Sequence, residues 1–214
     1  MNLSIRPASE TDLDFVAWVQ YTAAKSHLDR SIWELMYGRP EPWIMELLRR
    51  TAVSPELHWC HLSKFWICEA DGVRAGALAG YDPATEGNDV LTTAMLAAVA
   101  AMGDADLDLD AVLRRASIAE GCTPKRHPGA WGVENVAVVE GMRGRGILDR
   151  LMAHVLGLGR ERGFSRAQIM CLRDNVRALR AYEREGFELC ADYRSDEFEQ
   201  EFSSGGIKLL VQRL

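Results

Sequence analysis

WGVENVAVV (Trp131–Val139), EGMRGRGI (Glu140–Ile147), RAQIMCL (Arg166–Leu172) and DNVRALRAYEREGF (Asp174–Phe187) together decide the fold. The first segment ends in the apolar run Val136 to Val139, as a buried strand does. The second places two glycines and two arginines where the chain must turn. From Ile147 the apolar positions Leu148, Leu151, Met152, Val155 and Leu156 follow the spacing of one helical face. Gly163 closes that helix as a left-handed cap. Arg166–Leu172 is a second short apolar strand, and a second helix ends at Gly186. Strand, turn, helix, strand and helix in this order predict a mixed α/β fold.

Two features of this stretch carry chemistry. Arg143-Gly144-Arg145-Gly146 sits directly before a helix N-terminus, where unpaired backbone N–H groups and the helix dipole favour an anion. Glycine admits close approach of the backbone to a phosphate, and the arginines add charge. On the next helix Asn175 and Tyr182 stand seven residues apart and share one face.

These segments resemble the GNAT N-acetyltransferase family over about residues 131–212. Its phosphate loop reads R/Q-x-x-G-x-G/A. Arg143 and Gly146 match, whereas Leu148 departs from the small last residue and narrows the room for a pyrophosphate. A second signature, N-x-x-A-x-x-x-Y-x-x-x-G-F, is matched by Asn175, Ala178, Tyr182, Gly186 and Phe187. The resemblance implies an acetyltransferase fold in which strands four and five splay apart around acetyl-CoA. Backbone groups near Val136, Ala137 and Val138 would bind the pantetheine arm and polarise the acetyl carbonyl. Arg143, Gly144, Arg145, Gly146, Ile147 and Leu148 would hold the pyrophosphate.

The resemblance further implies that Tyr182 protonates the departing thiolate; otherwise it packs helix on sheet. Asn175 either bonds the pantetheine or caps its helix. An alkylamine is mostly protonated at pH 7, so a base or a water chain is required. Glu134, on strand four, is the candidate base, and a salt-bridged edge charge is the plain alternative. His127 and His154 are weaker candidates, and Cys171 reads as inert core. The implied function is transfer of an acetyl group to the primary amine of a small molecule or peptide by direct attack. The alternative is a non-catalytic acyl-CoA-binding sensor or scaffold.

At 214 residues the chain suits a single domain, with 48% apolar and 26% charged residues. A net charge of −6 argues against a nucleic-acid binder. No apolar run suits a membrane span and no apolar signal core opens the chain, so a cytoplasmic protein is expected. Five cysteines, Cys60, Cys68, Cys122, Cys171 and Cys190, form no CxxC, and no metal site is expected. A third glycine for a dinucleotide fold is missing, as is a P-loop.

Elsewhere, Leu3–Arg6 reads as a strand, with a helix to about Lys25 entered near Ser9 and Asp12. Trp33, Tyr37 and Trp43 either line an acceptor pocket or pack helices on the sheet. Asp71-Gly72 between two apolar runs predicts a hairpin. Residues 82–130 are an insertion between strands three and four, with helices at Val90–Met102 and about Leu107–Ala119. It holds seven acidic residues (Asp82, Glu86, Asp89, Asp104, Asp106, Asp108, Asp110) and no lysine or arginine before Leu113. It reads as a lid drawing a cationic acceptor such as a polyamine, as helix-start charge, or as the contact of a homodimer. After Phe187 two strands flank an acidic segment in which Phe198 and Phe202 share a helical turn.

Overall fold

The structure, a computed structural model, describes residues 1–214. Seven strands form one sheet: β1 (Leu3–Pro7), β2 (Phe65–Ala70), β3 (Val73–Tyr81), β4 (Trp131–Val138), β5 (Arg166–Leu172), β6 (Glu188–Arg194) and β7 (Gly206–Arg213). Their spatial order is β1-β2-β3-β4-β5-β7-β6, and every pairing is antiparallel except β4 with β5. The β2–β3 hairpin turns at Asp71 and Gly72, with φ of 50° and 81°. That suits the Asp-Gly pair, because both residues tolerate positive φ.

The parallel pair needs a crossover, and α6 (Ile147–Glu161) supplies it. Its apolar face, Ile147, Leu151, Met152 and Val155, is buried on Leu78, Trp131 and Val133 of the sheet. On the opposite face lie α1 (Leu13–Lys25) and α3 (Glu41–Ala52), with α2 (Ile32–Tyr37) between them in sequence. Val16 and Val19 of α1 meet Phe65, Ile67, Ala77 and Ala79.

The insertion forms α4 (Asn88–Met102) and α5 (Leu109–Cys122). Leu91, Met95 and Ala98 of α4 and Val112 of α5 share a buried cluster with Ile44, Leu47 and Leu48. Phe198 and Phe202 of α8 (Asp196–Phe202) complete it, their rings 4.7 Å apart. The insertion is therefore part of the helical layer and not a detached lid.

Several of its acidic residues have partners within the protein. Asp104 binds Arg39 at 2.7 Å, Glu86 pairs with Lys64, and Asp108 caps α5 through the Ala111 N–H.

Strand β4 carries the feature that opens the sheet. Its register with β3 runs from Ala77↔Ala137 to Ala79↔Glu134, so two residues of β4, Asn135 and Val136, oppose one of β3, Leu78. Asn135 absorbs the extra residue at φ 53°, a left-handed conformation asparagine tolerates better than most side chains. Its buried amide donates to the Cys60 sulfur at 3.6 Å. The β4–β5 ladder contains only Trp131↔Ala167, Gly132↔Gln168 and Val133↔Ile169. Beyond that point the two strands part.

Gly132 sits where the sheet is still closed, facing Tyr81 across the β3–β4 pair. A Cβ there would lie 2.4 Å from the Tyr81 ring, which is fully buried. Gly132→Ala therefore costs about 1–3 kcal/mol, the usual penalty for overpacking. Denaturant unfolding measures it, and a variant as stable as the wild type would show that the ring is free to move.

Candidate active site

Where β4 and β5 separate, a cavity of about 1140 Å³ opens between α6, α7 (Val176–Arg184), the end of α1, α2 and the loop after α5. Its floor is Glu134 to Val138 on one strand and Ile169 to Leu172 on the other. The Val139 N–H donates to the Ala75 carbonyl at 2.8 Å, which turns that residue toward β3. Bonded positions alternate along an antiparallel ladder. Val138, and Val136 two residues earlier, therefore direct their backbone groups at the gap. Consistent with this, the Val138 carbonyl accepts from Arg143 Nε at 3.3 Å.

At one end of the cavity the turn Arg143–Gly146 leads into α6. Gly144 and Gly146 have φ of 74° and 75°, both in the left-handed region. Nothing lies within 4 Å of a Cβ placed on Gly144. The turn is thus an open cradle at a helix N-terminus, suited to an anion. Arg143, Gly144, Gly146, Ile147 and Leu148 border the cavity, as does Asp149. Arg145 is exposed and is not among the cavity residues, so the turn presents one arginine to it and not two. Leu148 is half-buried and packs on the α6 core while still reaching the cavity.

The other wall carries Asn175 and Tyr182. Asn175 caps α7, its Oδ1 accepting from the Ala178 N–H at 3.0 Å, and its amide nitrogen donates to Ser26 Oγ. The cap is the role visible here, and it fixes the helix that carries Tyr182. The Tyr182 ring is buried edge-on to Phe187, at 6.4 Å. Burial, with the neighbouring Cys171 thiol and Glu134 carboxylate, holds its phenol pKa far above the ordinary value. It is therefore protonated at neutral pH. Burial likewise pushes the Cys171 thiol up to about 12, which leaves it an inert wall residue.

Glu134 stands on β4 with 15% of its side chain exposed, paired with Arg126 Nη1 at 3.1 Å. Desolvation raises its pKa, opposed by the Arg126 charge. Arg126 comes from the loop after α5, and its guanidinium lies 5.3 Å from the centre of the Tyr81 ring. Neither Arg126 nor Asn135 stood out in the sequence. The positive φ of Asn135 had one faint signal, an asparagine inside an apolar strand. Arg126 had none.

Other expectations resolve as packing. Trp33 reaches the cavity, but Tyr37 and Trp43 pack on each other at 5.5 Å, away from it. None of the seven acidic residues of the insertion lines it. His127 bonds Gln168 and the Pro128 carbonyl on the surface, and His154 lies against Trp66 at 4.2 Å. No group of three or more His, Cys, Asp or Glu is placed to hold a metal, and no helix is long and apolar enough to cross a membrane.

Solved structures share this fold. An acetyltransferase crystal structure superposes with a TM-score of 0.69 at 18% identity, covering 98% of each chain. An N-acetyltransferase from Staphylococcus aureus Mu50 gives 0.66 at 18% identity, over 97% of this chain and 99% of its own. A polyamine N-acetyltransferase of Drosophila melanogaster gives 0.54 at 16% identity, over 100% of both chains. At such identities the likeness speaks for the fold. No curated protein sequence matches the chain. The Acetyltransferase (GNAT) family matches residues 30–187, most of the chain and both walls of the cavity, and the protein belongs to that family.

Proposed function

We propose that the protein is an acetyl-CoA-dependent N-acetyltransferase whose acceptor amine attacks the thioester directly. The observation that carries this reading is one cavity with an anion cradle at one end and a carboxylate and a phenol on its walls. The glycine turn fits a pyrophosphate, and the unpaired edge of β4 fits an extended amide-bearing arm. Acetyl-CoA, when bound, supplies an activated thioester, so the protein needs position more than covalent catalysis.

The chain's own groups then have defined tasks. Backbone N–H groups of Val136 and Val138 orient the arm along the strand edge and are placed to stabilise charge on the acetyl oxygen. Glu134 takes the proton of the acceptor ammonium, directly or through one water, freeing the lone pair for attack. Its desolvated setting raises its proton affinity toward this task. As the C–N bond forms and the C–S bond breaks, the Tyr182 phenol gives its proton to the departing sulfur. The proton shed by the new amide nitrogen reaches solvent, which reprotonates the phenolate.

Glu134→Gln lowers kcat/KM about 100-fold near neutral pH. The deficit shrinks as pH approaches the pKa of the acceptor amine, because a neutral amine needs no base. A loss of equal size at every pH would assign Glu134 to positioning instead.

For Tyr182→Phe, kcat falls by roughly 100-fold while acetyl-CoA affinity holds. Thiol release and calorimetry on one preparation separate the two quantities. Parallel losses in both would mean that Tyr182 only packs α7 against the sheet. Binding with no transfer to any amine in either variant or the wild type would favour the sensor reading.

A further inference from the structure

Arg126 is a half-buried cation with most of its hydrogen-bonding capacity unused. Only 19% of its side chain is exposed, and its one hydrogen bond runs from Nη1 to Glu134. A guanidinium has five N–H donors in a planar fork, and those of Arg126 without a protein partner stay accessible to a ligand. The unused edge of Arg126 faces open space. The residue borders the main cavity and also a smaller adjoining one of about 400 Å³. Lys125 lines that second cavity with it, beside Asn88, Tyr193 and a single carboxylate, Glu120.

From these observations we infer that Arg126 recognises a carboxylate of the acceptor, so that the substrate is a small amine bearing its own carboxylate group and not a polyamine. The inference rests on the acetyltransfer reading above and names its substrate class.

The position of Arg126 excludes the nearest alternative ligand. Glu134, its partner, lies four strand residues before Val138, and so roughly 13 Å from the end of β4 that leads to the glycine turn. Arg126 is therefore remote from the pyrophosphate cradle. The charge balance is equally directional. The cavity is lined by two carboxylates, Asp149 beside the glycine turn and Glu134, and the second is already paired. A polyamine would have to place a further ammonium beside Arg126 and Lys125, where the one unpaired carboxylate is Glu120 of the smaller cavity.

The fork of an arginine suits a carboxylate with two parallel bonds. Around it, Trp33, Met36, Trp59 and Phe198 give the cavity an apolar wall, which fits an apolar body between amine and carboxylate. Tyr81 holds the guanidinium from behind. An acceptor carboxylate on the free edge of Arg126 also shares the charge now facing Glu134 alone. The proton affinity of Glu134 then rises when the correct substrate is seated.

The test compares matched acceptors with the full-length protein. The common amino acids, their primary amides and the amines lacking the carboxylate are assayed by thiol release, with spermidine and agmatine alongside. At least one amino acid is expected to react with kcat/KM tenfold or more above its own amide. In Arg126→Gln that ratio falls to about one, chiefly through KM, and in Arg126→Lys it is only partly restored. Taking the ratio cancels any common effect of the substitution on Glu134.

Preference for amides or polyamines, or a ratio that survives in both variants, overturns the assignment, as does transfer to no carboxylate-bearing amine. Acetyl-CoA calorimetry on the same samples distinguishes this failure from failure of the cofactor reading. If the glutamine variant does not fold, the lysine variant carries the comparison.

Discussion

The site depends on where one parallel strand pair stops. The β4–β5 ladder is hydrogen-bonded for three residue pairs and ends at Val133 and Ile169. Two residues later Asn135 takes a left-handed conformation, and the bulge bends β4 away from its parallel neighbour while shifting its register with β3 by one residue. An interrupted ladder leaves backbone donors and acceptors without partners, a costly state unless something polar occupies the gap. In this protein the gap is the cavity, and the unpaired groups become its most directional feature. Tyr182, Glu134 and the glycine turn are arranged around that opening.

Each wall is fixed by ordinary packing. The turn is presented by α6, whose apolar face is anchored on Trp131, Val133 and Leu78, so the cradle is as rigid as the core beneath it. Tyr182 is presented by a short helix whose start is held by the Asn175 cap. The far end is less regular. There the loop after α5 delivers Arg126, which Glu134 and Tyr81 hold by an ion pair and a ring face. The helical insertion shapes this end through Asn88, Ala119 and Thr123, while its Glu86 and Asp104 are paired with Lys64 and Arg39.

How much of this was legible in the sequence follows from the range of the interactions. The glycine turn, the α6 face, the Asp71-Gly72 hairpin and the insertion helices rest on contacts within a few residues, and the sequence pattern reveals them. The Asn175 cap was legible as one of two roles, because a cap is local. The bulge at Asn135 was not, since it exists only relative to β3, whose residues lie more than fifty positions earlier. The Arg126–Glu134 pair spans eight residues across a loop and a strand, and no periodicity links such positions. Asp104 illustrates the converse error. Its charge suggested a lid, but its partner is Arg39, sixty-five residues away.

The central claim is that the separated strands and the glycine turn form one acetyl-CoA site. Calorimetric titration of acetyl-CoA into the wild-type protein and into Gly146→Val tests it most directly, because φ 75° at Gly146 disfavours a β-branched residue and distorts the cradle. The account predicts saturable binding at one site per chain. It also predicts an affinity at least about tenfold weaker in the variant, as loss of a charge-assisted hydrogen bond implies, with the fold intact by circular dichroism. Absence of binding to the wild type, or equal affinity in a folded variant, would contradict it.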